Sequence, residues 1–135
     1  MRSKKKFILT IAFIISLSPM ILNQYGGFRG VQEITGMINL TNPIGIIALI
    51  TYFIGVWGQF KKKSKGKILG LIGVVGIVIS EIYTFFTWHV LTITGEINLQ
   101  HSVALVFPEF YVGLTTSIMM IIAYVIIHIA IKDLD

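Results

Sequence analysis

Cysteine is absent from the 135 residues, and with it go disulfide frameworks, thiolate metal sites, iron–sulfur clusters and cysteine nucleophiles. Charge is scarce. Only 13% of the residues are charged, against 55% hydrophobic, and the mean hydropathy is +0.85. A domain this small cannot bury that much apolar surface in water, which excludes a soluble globule and places the chain in a bilayer as one integral domain over residues 1–135. Catalytic patterns are missing too. Ser16, Ser18, Ser64, Ser80, Ser102 and Ser117 lack a nucleophile-elbow context, and no glycine-rich phosphate loop follows a strand pattern. The expectation is a protein that is not an enzyme and takes no cofactor, and no motif of a known family is recognisable.

The charge that is present has a pattern. The net charge is +5, and ten of the eleven basic residues flank apolar runs: Arg2 with Lys4, Lys5 and Lys6, then Lys61, Lys62, Lys63, Lys65 and Lys67, and finally Lys132. No basic face interleaved with aromatics exists on a polar domain, so nucleic acid is not the expected partner. Basic residues beside spans stay cytoplasmic, which predicts both termini and the Lys61–Lys67 loop inside a cell membrane, with Arg29 outside. Lys61, Lys62 and Lys63 are then placed to meet anionic lipid.

A helix crossing a hydrocarbon core of about 30 Å needs about 20 apolar residues. Four stretches meet that length: Phe7 to about Tyr25, Ile44 to Phe60, Ile68 to about Trp88, and Phe110 to Ile131. Thr41, Asn42 and Pro43 read as a capping side chain and first-turn proline ahead of the second stretch, and Pro108 with Glu109 open the fourth. Trp57 and Trp88 fall near opposite boundaries as interfacial anchors. A rival reading of residues 1–25 is a secretory signal with Ser16-Leu17-Ser18 as its small-x-small site; Pro19 directly after such a cut opposes it.

Ile34-Thr35-Gly36-Met37-Ile38-Asn39-Leu40 recurs as Ile93-Thr94-Gly95-Glu96-Ile97-Asn98-Leu99, six identities in seven at an offset of 59 residues. Each copy reads basic cluster, span, outer segment, span, so the chain divides into repeat units of about 1–60 and 61–135. The units hold an even number of spans and share one orientation. Apolar and polar residues alternate from Leu91 to Gln100 and from Ile34 to Thr41, the pattern of a half-buried strand. The predicted fold is therefore an all-α membrane protein: a four-transmembrane-helix bundle of two tandem hairpins, with an extracytoplasmic two-stranded β ribbon pairing the two copies. Two irregular loops are the alternative for the ribbon.

Several faces and side chains stand out inside the spans. Gly66, Gly70, Gly73, Gly76, Ser80, Thr84 and Thr87 share one side of the third span, and Ala48, Thr51, Gly55 and Gly58 one side of the second. Small residues admit a neighbouring backbone, so Gly70, Gly73, Gly76, Gly55 and Gly58 are expected to form a helix-packing seam, within the chain or with a second copy. Glu81 lies in the outer half of the third span with no lysine or arginine at its depth, and an intramembrane carboxylate is a functional candidate by default. His128 shares a face of the fourth span with Tyr124, Met120, Ser117 and Gly113, where a proton-relay role competes with simple dipole stabilisation at a helix end. Glu33, His89, Glu96, His101 and Glu109 are potential outer metal ligands, but they show no ligand spacing and no metal is expected. Asn39-Leu40-Thr41 matches the glycosylation sequon, a common chance match.

The functional expectation is a small accessory or protective membrane subunit that binds an envelope partner, either another membrane protein or a second copy of itself. The alternative is a small proton- or cation-coupled transporter or channel subunit working through Glu81.

Overall fold

The computed structural model describes residues 2–26, 34–58, 65–90 and 94–130. The chain is mostly helical with one small antiparallel sheet of two strands. Helix α1 (Arg2–Ser16) leads through a 3₁₀ turn (Ser18–Ile21) into β1 (Asn23–Tyr25); β2 (Ile34–Thr35) and the single turn α2 (Ile38–Thr41) follow. Then come α3 (Pro43–Gly58), α4 (Lys65–Thr87), the short α5 (Leu99–Ala104) and α6 (Pro108–Ala130). Lys61, Lys62, Lys63, Arg29, Glu33, Lys132 and residues 91–93 lie outside the described residues.

The helices differ in length. α4 and α6 have 23 residues each, about 35 Å at 1.5 Å per residue, whereas α1 has 15 and α3 has 16. Gly66–Thr87 and Pro108–His128 are long and apolar enough to cross a membrane; Phe7–Ile21 and Pro43–Trp57 are equally apolar in character but shorter. α4 packs on both α3 and α6, and α1 closes the ring against α6 and α3. The core between them holds Leu9, Phe13, Tyr52, Val56, Val74, Ile77, Met120 and Tyr124. Phe13 stacks on Tyr52 at 3.8 Å between ring centres, and the Tyr52 hydroxyl donates to the Leu9 carbonyl at 2.9 Å, which ties α3 to α1.

Local chemistry explains the helix ends. Asn42 precedes α3, and its Oδ1 accepts the Gly45 N–H at 2.8 Å, so an asparagine cap followed by proline starts the helix where the sequence predicts. α6 likewise begins at Pro108 with Glu109 in its first turn. The first apolar stretch departs from expectation. It does not run as one helix to Tyr25; α1 stops at Ser16 and gives way to the 3₁₀ turn, because Pro19 disfavours the α conformation at the residue before it and has no N–H to continue the ladder. The hydroxyls of Ser16 and Ser18 donate to the Phe13 and Ile15 carbonyls, both at 2.7 Å, and satisfy the last turn.

The ribbon also differs from expectation. β2 pairs antiparallel with β1, in the register Asn23↔Thr35 and Tyr25↔Ile34, and not with the second heptapeptide. The second copy is not a strand within its described residues. Gly95 takes φ +73°, a left-handed turn that ends the alternation, and Asn98 caps α5 by accepting from the Gln100 and His101 N–H groups. The second hairpin reaches the sheet elsewhere: Tyr25 bridges Val106, the Gly26 N–H donates to the Leu105 carbonyl, and the Phe107 N–H to the Gln24 carbonyl, both at 2.9 Å.

Candidate functional site

A set of polar residues lies inside this molecule, and many large apolar ones lie outside. Gln24, Asn39, Ser80, Glu81, Thr84, His89, Ser102 and Ser117 are all buried. Ile11, Ile47, Ile72, Met119 and Ile122 are each more than half exposed. Most of the buried polar groups form a layer where the β1–β2–α2 segment leans on α4 and α6. Gln24 is held at its centre: its Nε2 donates to the Pro19 carbonyl at 2.9 Å, and its Oε1 accepts from Asn39 Nδ2 at 2.9 Å. Asn39 Oδ1 in turn accepts from the Tyr25 hydroxyl, and its carbonyl accepts from the Ser80 hydroxyl. Asn39 is thereby fully buried and committed to the fold, whatever its sequon.

Two glycines make the slot for Gln24. A Cβ on Gly36 would lie 2.4 Å from the glutamine Nε2, and one on Gly113 would lie 2.9 Å from it on the other side. Asn42 carries the network outward from the α3 cap: its Nδ2 donates to the Ser80 and Thr84 hydroxyls at 2.8 and 2.9 Å. Side chains 38 and 42 positions apart in sequence thus join the start of α3 to the C-terminal half of α4.

Glu81 sits one residue beyond Ser80 and is 1% exposed. Ser117 of α6 donates its hydroxyl to Oε1, while Oε2 has no hydrogen-bond partner among the described residues. The partner is a serine on the neighbouring long helix. His128 lies apart from this. It is 11 positions past Ser117 on α6, about 16 Å along the axis, and its ring packs on Tyr124 at 4.3 Å. Glu81 and His128 belong to opposite ends of the molecule and do not form one site.

The glycines lie between helices of this same chain. A Cβ on Gly55 would meet the Gly70 backbone nitrogen at 2.3 Å, one on Gly73 the Tyr52 Cα at 2.6 Å, and one on Gly76 the Ala48 Cβ at 2.8 Å. Gly70 has a second neighbour, the Tyr124 hydroxyl, which donates to the Lys67 carbonyl at 2.8 Å and so locks α6 on α4. Gly58 is the last residue of α3. Thr51 turns its hydroxyl back to the Ile47 carbonyl at 2.7 Å and takes no part in the seam.

A second buried cluster lies beyond the end of α4. His89 is fully buried with Nδ1 2.6 Å from the Thr94 hydroxyl and Nε2 2.9 Å from the Ser102 hydroxyl. Burial pulls its pKa below the usual histidine range, and His101 adds to this. The pair of hydroxyls fastens the Thr94–Ala104 region to α4. No three His, Cys, Asp or Glu side chains converge among the described residues; Glu96 and Glu109 stand apart from the two histidines. An open groove lined by Leu22, Asn23, Phe107, Pro108 and Glu109 runs where the two hairpins meet.

Sequence reasoning missed Gln24, Asn39, Asn42 as a bridge, Ser117 and the His89–Ser102 pair. The available signal was their polarity inside long uncharged runs, since a polar side chain among apolar neighbours needs a partner. No family model, no curated protein and no solved structure matches this chain.

Proposed function

We propose that this chain is a multi-pass cell-membrane protein whose four apolar helices all cross the bilayer, with both termini cytoplasmic, and that it serves as a non-enzymatic accessory or protective subunit for an envelope partner. The carrying observation is the inverted distribution of polarity, with isoleucine outside and amide, hydroxyl and carboxyl groups inside. Water would reverse it. Lipid accepts the exposed isoleucines and requires that every polar group find its partner within the protein. The short α1 and α3 fit the same reading, because non-helical backbone at membrane depth is tolerated where it is buried in protein, and β1, β2 and α2 complete these two helices on the outer side.

An accessory role is favoured over a solute path by how the polar layer is used. Its amides and hydroxyls bond one another and backbone carbonyls, which holds the elements together. The glycine seam is occupied within the chain, so the surface left for a partner is the outer one, including the groove between Leu22 and Glu109. Purification in mild detergent after outer-surface crosslinking is expected to recover one partner in stoichiometric amount; recovery of this chain alone, in every preparation, overturns the accessory role.

One observation favours a second reading, a small proton- or cation-coupled transporter. Glu81 keeps one carboxyl oxygen unpartnered at full burial, and such a group is available to a proton or small cation. Under that reading Glu81→Gln abolishes a proton-linked flux in reconstituted vesicles while expression holds. Unchanged flux removes it.

A further inference from the structure

The inversion of polarity continues past the ends of the long helices into α5. Ile97, Leu99 and Val103 are 67%, 62% and 50% exposed, whereas Ser102 on the same turn is fully buried against His89. Leu99 and Val103 are four positions apart and so lie one above the other on the outward side. From Ile97 to Pro108 the sequence carries no lysine, arginine, aspartate or glutamate. A connecting segment facing water has the opposite arrangement, charged or polar residues outward and apolar ones inward. α5 repeats the arrangement of α4 and α6, whose outward faces carry Ile82, Tyr83, Tyr111 and Val112 close to its two ends in sequence.

We infer that α5 is an interfacial helix, lying in the outer leaflet with Ile97, Leu99 and Val103 in the acyl region of the lipid. Interfacial helices of this kind sink about 5–10 Å into the boundary between headgroups and chains. His89 and its two hydroxyl partners give the device its rigidity. Thr94 and Ser102 grip the two ring nitrogens of His89, so the apolar edge of α5 is held at a set distance from the end of α4. The absence of charge on the segment matches the zwitterionic or apolar environment of that depth, and leaves the lysine-rich side as the face that meets anionic headgroups. This rests on the membrane reading proposed above.

The chain's lack of cysteine makes the test direct. Single variants Ile97→Cys, Leu99→Cys and Val103→Cys are reconstituted in phosphatidylcholine vesicles, with Gly95→Cys as the outer turn control and Met119→Cys as the control for the face of α6. Thiols at 97, 99 and 103 are expected to react about ten-fold more slowly than that at 95 with a charged, membrane-impermeant reagent, and an attached fluorophore to be quenched by lipids spin-labelled near the headgroup. Equal reactivity at 95 and 99 without lipid quenching overturns the inference. So does protection that appears only in native membranes and not in the vesicles, because a protein then covers the segment. At 119, in the middle of α6, the quencher is a lipid spin-labelled deep in the acyl chain; loss of that quenching marks failure of the membrane reading itself, whereas quenching at 119 with none at 99 and 103 from the headgroup-labelled lipid marks failure of the interfacial helix alone.

Discussion

Two copies of nearly the same heptapeptide take different structures in one molecule. In the first, Ile34 and Thr35 pair with β1, Gly36 turns, and Ile38 opens a helical turn. In the second, Gly95 turns with positive φ and Asn98 caps α5. The shared glycine answers two separate demands: Gly36 is flat against the Gln24 amide, while Gly95 has open space on its Cβ side and is needed for its backbone angle alone. The shared asparagine divides in the same way. Asn39 is buried and bonded to Tyr25 and Gln24, whereas Asn98 serves only its own helix end. Local sequence sets the available turns and caps; contacts with distant residues select among them.

Paired substitutions sharpen this contrast. The largest effect is expected at the asparagines. Asn39→Ala leaves the Tyr25 hydroxyl, the Gln24 side-chain Oε1 and the Met20 contact without their partner, and is expected to cost about 3 kcal/mol, against about 1 kcal/mol for the lost cap in Asn98→Ala. Denaturant-induced unfolding in detergent measures both. Equal losses would mean that the two copies are energetically interchangeable.

The glycines come next. Gly36→Ala forces the buried Gln24 side chain off its bonds to Pro19 and Asn39, an overpacking cost of about 2–3 kcal/mol. Gly95→Ala meets only the left-handed backbone penalty of about 1 kcal/mol, and Gly95→Asn, which tolerates that conformation, recovers most of it. Thermal unfolding of the three variants should rank them Gly36→Ala, Gly95→Ala, Gly95→Asn from least to most stable.

The smallest effect is a dependence on pH confined to the second copy. His89 has a folded-state pKa below its unfolded value, so the unfolded chain binds more protons, and stability is complete above about pH 6.5 and falls as the pH drops below it. Thr94 contributes the bond to Nδ1, so the loosening concentrates between Thr94 and Ser102. Hydrogen exchange at pH 7.5 and 5, corrected for the intrinsic rate, is expected to show it there and not at Ile34–Thr41. His89→Gln removes the pH dependence of exchange in that segment.

Much of the helical architecture is legible along the chain because it depends on neighbours. Asn42 and Pro43 start α3, Pro108 and Glu109 start α6, and the long apolar runs become α4 and α6. The end of α1 is encoded just as locally, by Ser16, Ser18 and Pro19, but hydropathy alone does not register it, since the residues beyond are as apolar as those before. Strand pairing is different in kind. Alternation gives the face of a strand and says nothing of its partner, so Ile34–Thr35 gave no sign that Asn23–Tyr25 lies beside it. The candidate site is less legible still. Glu81 is conspicuous as an acid in an apolar run, but Ser117 is one serine among several, and Gln24 becomes important only because Gly36 and Gly113 make room for it.

The bond from the Phe107 N–H to the Gln24 carbonyl spans most of the polypeptide. During synthesis β1, β2 and α2 are complete long before residue 107 is added, and Ser80 must also arrive before the Asn39 carbonyl is satisfied. The backbone carbonyls of Gln24 and Asn39 therefore lack these partners until the second half of the chain supplies Phe107 and Ser80. The layer around Gln24 is thus a closure between the two halves of the chain, and neither half can complete it alone.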